Sequence, residues 1–349
     1  MFAIQEIDIQ KSAPLKILRA IANTTADVSH NVAIMNNNAD LVRLKLANGE
    51  IADEASFQFA CKHGFTEIVC ILLVNVNPTL RDNEALRSAC ANGHTEIVRL
   101  LIELPPERGV DPSVRDNEAL RSACAYGHTE MVRLLIELPL ERRVDPAAKD
   151  NEALRLACLY GHAKIASLLL DLPLERDVNP AARDNEAVRY AIKKGYTNIV
   201  RILLDLPLER CVNPAALNNE AVRYVCEIGR AQMVRLLLDL PLERGVDPAA
   251  CDNAALRCAC AYGHTEIVRM LLVLPPERGV DPAACDNEAL RDACTNGHTE
   301  IVRMLLDLPT EREVNPAEAL RFAHGRAQIV RMLMNDERIS NTKWSFAKN

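Results

Sequence analysis

Residues Asp82–Arg115 read DNEALRSACANGHTEIVRLLIELPPERGVDPSVR, and Asp116–Lys149 repeats that string at 27 of its 34 positions. Chance does not produce such agreement, so the chain is a tandem array. Gly93, Gly127, Gly161, Gly195, Gly229, Gly263 and Gly297 mark the period, each 34 residues after the last. Six full copies occupy 82–115, 116–149, 150–183, 184–217, 218–251 and 252–285, a shortened copy 286–316 and a truncated one 317–336. Upstream, 51–81 carries FQFACKHGFTEIVCILLVNVNP, and 30–50 holds a degenerate copy in which ADLVRLKL matches the second half, making about ten copies. Residues 1–29 match no part of the unit and are expected to form an extension or cap. Residues 337–349 are polar, carry the only Trp (Trp344), and are expected to be a tail.

Each copy predicts two helices. Asp82 or Asn83 is expected to cap the first, and Glu84 suits the positive end of its dipole. Ala85, Leu86, Ala89 and Cys90 form a narrow apolar face, and Gly93 stops the helix by taking positive φ. The second helix is expected over Thr95–Leu104. Only Glu96, Arg99 and Glu103 form a polar stripe there, and Pro105 ends it. A pair this short cannot bury its apolar faces alone, so it must stack on its neighbours.

The unit resembles the ankyrin repeat, most closely in GHTEIVRLLI at Gly93–Ile102, and the resemblance covers residues 30–336. It implies a helical solenoid of about ten stacked helix-turn-helix repeats. The chain departs from the family pattern in two places. N-E-A-L-R replaces T-P-L-H, so Arg87, Arg121, Arg155, Arg189, Arg223, Arg257 and Arg291 stand where the family has a histidine. The stretch Asp111–Leu120 is short and lacks glycine, while an insertion, LPPER at Leu104–Arg108, follows the second helix. Extended turns around Val110–Pro112 are therefore expected in place of long β-hairpins, and the fold class is all-α or nearly so.

Composition agrees with thin layers. Hydrophobic residues make up 49% of the 349 but aromatics only 4%, so bulk for a large single core is missing. No apolar run is long enough to cross a membrane, the N-terminus lacks a secretory h-region, and a net charge of −7 argues against nucleic acid. Twelve cysteines are too dilute for a disulfide scaffold, and so many thiols point to a reducing, cytoplasmic compartment.

Cys61, Cys90, Cys124, Cys158, Cys226, Cys260 and Cys294 share one column. Neighbours in a column lie about 10 Å apart, too far for zinc or a disulfide, so packing is expected. His94, His128, His162, His264 and His298 form another column, expected to make structural hydrogen bonds. The arginines are expected to pair with glutamates on their own helix, at i−3 and i+4. No phosphate loop, metal motif or nucleophile motif occurs, so no catalytic residue, metal or cofactor is assigned and an enzyme is not expected.

Positions free to differ between copies can carry specificity. These are the end of the first helix, the residue before Asp-Asn, and the Ser88 column. The ankyrin resemblance places such positions on a concave groove that binds a protein partner. The candidates are Arg115, Tyr126, Lys149, Tyr160, Arg183, Tyr190, Lys193, Lys194, Tyr224, Glu227, Ile228 and Tyr262. The divergent copies at 184–217 and 218–251, with GYTN and GRAQ for GHTE, are read as the centre of the site. The expectation is a monomeric interaction scaffold. Arrays of this kind occur in eukaryotes, large DNA viruses and intracellular bacteria, so export into a host cell as an effector is one role it suggests. A regulatory or targeting subunit of a larger assembly is the alternative.

Overall fold

The computed structural model describes residues 30–339; the extension and most of the tail expected from sequence, Trp344 included, lie outside them. The described residues form helices, short 3-10 turns and connecting loops, with no β-strand among them. The chain divides into two compact units, Met1–Lys149 and Asp150–Asn349.

In the first unit the helix pairs are His30–Met35 with Ala39–Ala47, Glu54–His63 with Thr66–Leu72, Leu80–Asn92 with Thr95–Ile102, and Val114–Tyr126 with Thr129–Ile136. In the second unit Ala182–Lys194 pairs with Thr197–Leu204, Ala216–Glu227 with Ala231–Leu238, Ala250–Ala261 with Thr265–Leu272, and Ala284–Asn296 with Thr299–Leu306. Within each unit, first helices pack on first helices and second on second. The second helices of the full copies bury four side chains, such as Ile97, Val98, Leu101 and Ile102, while Thr66–Leu72 and Thr299–Leu306 bury three. Burial of each contributes about 1.5–3 kcal/mol, realised only when the neighbouring layer is present.

The residues read as helix caps do something else. Arg81, Asp82 and Asn83 form a left-handed turn, with φ of 51°, 55° and 55°, at the start of the first helix. The same turn recurs at Arg115–Asn117, Arg183–Asn185, Leu217–Asn219, Cys251–Asn253 and Cys285–Asn287. Such residues cost about 1 kcal/mol or more each unless the surroundings hold them. Two columns hold them here. Each asparagine is buried and accepts the backbone N–H of the following turn, as in Asn83 Oδ1 from Asp111 (3.2 Å) and Asn253 Oδ1 from Asp281 (2.8 Å). In the Arg87 column, Arg87, Arg121, Arg155, Arg189, Arg223 and Arg257 donate to carbonyls that the turn releases from the helix, while Arg291 lies over the Phe322 ring. Arg87 reaches Asp82 O at 2.9 Å and Arg81 O at 3.1 Å, and Arg257 reaches Asp252 O at 2.9 Å.

The glycine stops have a second cause besides φ. A Cβ at Gly263 (φ 79°) would stand 2.6 Å from the His298 ring of the next layer. That ring's Nε2 sits 3.0 Å from Ala261 O, and the same contact joins His94 to Lys62 O and His264 to Glu227 O. The inserted LPxER segment forms a 3-10 turn whose arginine points inward. Arg142 donates to Ile102 O and Val110 O, and Arg278 to Leu238 O and Val246 O. Arg338, beyond the last copy read from sequence, makes the matching bonds to Leu306 O and Val314 O.

Candidate protein-binding surface

With the stacking columns committed, the first helices keep an outward face, and in the second unit it carries a connected polar and aromatic network. Arg155 pairs with Glu186 of the next layer, and Glu186 also accepts from the Tyr190 hydroxyl at 2.6 Å. Arg189 pairs with Glu220 at 3.2 Å, Lys193 donates to the same carboxylate at 2.7 Å, and the Lys193 ammonium lies over the Tyr224 ring at 5.6 Å. Arg155 and Arg189 therefore pair between layers, not with glutamates of their own helix as the spacing suggested. Arg87–Glu118, Arg257–Glu288, Arg235–Glu266 and Arg269–Glu300 follow the same rule. Same-helix pairs persist at Arg81–Glu84 (3.5 Å), Arg115–Glu118 (3.9 Å) and Arg133 with Glu130 and Glu137 (4.0 Å).

The electrostatics follow from these pairs. Burial would push Glu186 up, but the Tyr190 hydroxyl and Arg155 outweigh it and hold the carboxyl below its usual range. The Lys193 hydrogen bond, against partial burial and helped by Arg189, does the same for Glu220. The Tyr190 phenol is raised by its bond to Glu186. Asp292 is raised by burial and by nearby Glu288.

The sequence candidates divide accordingly. Tyr190, Lys193 and Tyr224 belong to the network. Tyr160 and Tyr262 are exposed, at 54% and 60%, and Ile228 at 38%. Arg183, Lys194 and Glu227 are exposed, while their layers use the Lys194 and Glu227 carbonyls to hold Arg230 and His264. In the first unit Tyr126 is 64% exposed beside His128, Arg115 pairs with Asp82 at 3.1 Å, and Lys149 with Asp116 at 3.5 Å. The divergence of GYTN and GRAQ is structural: Tyr196 covers Gly161, and Arg230 donates to Lys194 O, each replacing the histidine contact.

A family model described as ankyrin repeats (3 copies) matches residues 30–116, 57–150, 120–214 and 189–286. The chain belongs to the ankyrin-repeat family. Among solved structures, an ankyrin repeat family protein from Legionella pneumophila is similar at 17% identity over 87% of this chain and 94% of that one, with a TM-score of 0.36. Compared with curated proteins, the chain finds no match.

The ankyrin array treats its cysteines as packing. Cys61, Cys90, Cys124, Cys158, Cys226, Cys260 and Cys294 are buried, and burial pushes Cys158, Cys226 and Cys294 up to about 12. Cys70, Cys211, Cys251 and Cys285 are exposed. Among the described residues no group of three or more His, Cys, Asp or Glu side chains could hold a metal, and no helix is long and apolar enough to cross a membrane. Sequence reasoning passed over Leu217 as a site residue. It is 50% exposed in a column that holds Arg115, Lys149 and Arg183, and that change from charge to leucine was the available signal.

Proposed function

We propose that this ankyrin array is a non-enzymatic scaffold that binds a protein partner on the first-helix face of its second unit. The observation that carries this is the concentration of large exposed side chains on that face. Tyr160, Leu217, Tyr224, Ile228 and Tyr262 are 37–60% exposed in a chain with only six tyrosines. Tyrosine on a rigid support gives large contact area at small entropy loss and is enriched at interface hot spots. Lys193 and Glu220 beside Tyr224 supply a polar rim whose side chains are already ordered by each other.

The test is affinity capture with the wild-type chain and with Tyr160→Ala/Tyr224→Ala/Tyr262→Ala, quantified by mass spectrometry, with circular dichroism confirming equal helicity. A protein retained by wild type and lost from the triple variant supports the reading. Equal retention by both sinks it.

A further inference from the structure

The inserted turn leaves a leucine in water in successive layers. In the second unit Leu174, Leu208 and Leu242 are 73%, 59% and 66% exposed, although they are large apolar side chains. Each opens a three-residue 3-10 turn, at Leu174–Arg176, Leu208–Arg210 and Leu242–Arg244. A proline precedes each turn, with φ of −55°, −54° and −56°, and a left-handed residue closes it. The turns are therefore near-identical and rigid. Arginine anchors them from inside: Arg210 donates to Val178 O at 2.8 Å, and Arg244 to Leu204 O, Leu206 O and Val212 O.

That inward arginine splits the Glu-Arg pair that looks neutral in sequence. Glu175, Glu209 and Glu243 stay exposed beside the leucines, and so do Asp171, Asp205 and Asp239. The leucines thus stand in an acidic rim.

Their spacing fits one kind of occupant. Packed layers repeat about every 10 Å. An α-helix rises 1.5 Å per residue, so about seven residues cover that distance. A helix laid along the turns meets one leucine per heptad, the repeat that places apolar side chains on one stripe. Anionic membrane is repelled by the acidic rim, and a second copy would bring acid against acid. We propose that Leu174, Leu208 and Leu242 form a docking ladder for a basic amphipathic helix of a partner protein, with apolar residues in a heptad pattern. This surface is separate from the first-helix face and does not depend on it.

The probe is a fluorescein-labelled synthetic helix with leucines in heptad positions and lysines elsewhere, titrated with the full chain by anisotropy. Binding is expected, and a glutamate-for-lysine peptide should not bind. Leu174→Ser/Leu208→Ser/Leu242→Ser should weaken binding by about tenfold or more, and Glu175→Lys/Glu209→Lys/Glu243→Lys should do the same. The triple tyrosine variant should bind as wild type does. Equal binding by either ladder variant, or by the acidic peptide, overturns the proposal. So does a wild-type dimer in light scattering that the serine variant loses, or co-sedimentation with phosphatidylserine vesicles that the serine variant loses; these would assign the ladder to a second copy or to a membrane.

Discussion

Asn219 Oδ1 accepts the backbone N–H of Asp247 at 2.8 Å, so a buried side chain inside one layer holds the turn that begins the next. The same asparagine sits at φ 58°, where few side chains other than asparagine are comfortable. One residue therefore fixes a local left-handed turn and an inter-layer contact together.

Asn219→Ala should destabilise the second unit by about 2 kcal/mol, because a backbone N–H loses its partner and alanine is strained at positive φ. Asn219→Gly should cost less, since glycine removes the strain but not the lost bond. Urea unfolding measures the difference, and hydrogen exchange at the Asp247 amide should accelerate in both variants. Unchanged exchange there would show that the bond does not hold the turn.

Gly263→Ala should cost about 2–3 kcal/mol, since its Cβ meets the His298 ring and its φ is 79°. In a His298→Ala background the same change should cost only about 1 kcal/mol, the positive-φ part. A double-mutant cycle reads the coupling. Additive losses would mean that the ring yields freely.

Arg244→Lys should lower stability by about 2 kcal/mol despite keeping the charge. A lysine cannot spread donors over Leu204 O, Leu206 O and Val212 O as the planar guanidinium does. Thermal unfolding of the two chains is the measurement, and equal midpoints would count against the anchoring role.

Glu186→Gln should cost about 2 kcal/mol at pH 7, where the half-buried carboxylate is charged and bonded to Arg155 and Tyr190. The folded-state value lies below the ordinary 4.5. The wild-type advantage is therefore full above that ordinary value and is lost as pH falls through the lower folded one. Denaturation curves of wild type and variant should differ at pH 7 and converge in strong acid.

The 34-residue period, the helix pair and its break at Gly93 were legible in the sequence because they rest on local chemistry repeated many times, although the second helix ends at Ile102, short of Leu104 and Pro105. So was the packing role of the Cys90 column, since its period alone separates the sulfurs. The partners of the arginines and asparagines were not legible. Asn83 and Arg87 sit where a helix cap and a same-helix ion pair are reasonable, and nothing local says that the turn is left-handed. Of the candidate site, the exposed Tyr160 and Tyr262 could be read from variation between copies, but the joining of Lys193, Glu220 and Tyr224 could not. The sequence by itself determined that layers of this kind must stack, because no pair can bury its apolar faces alone. Only the tertiary structure decided which polar side chain reaches which neighbour. Those contacts join residues about a layer apart, where spacing along the chain carries no information about the direction of a side chain.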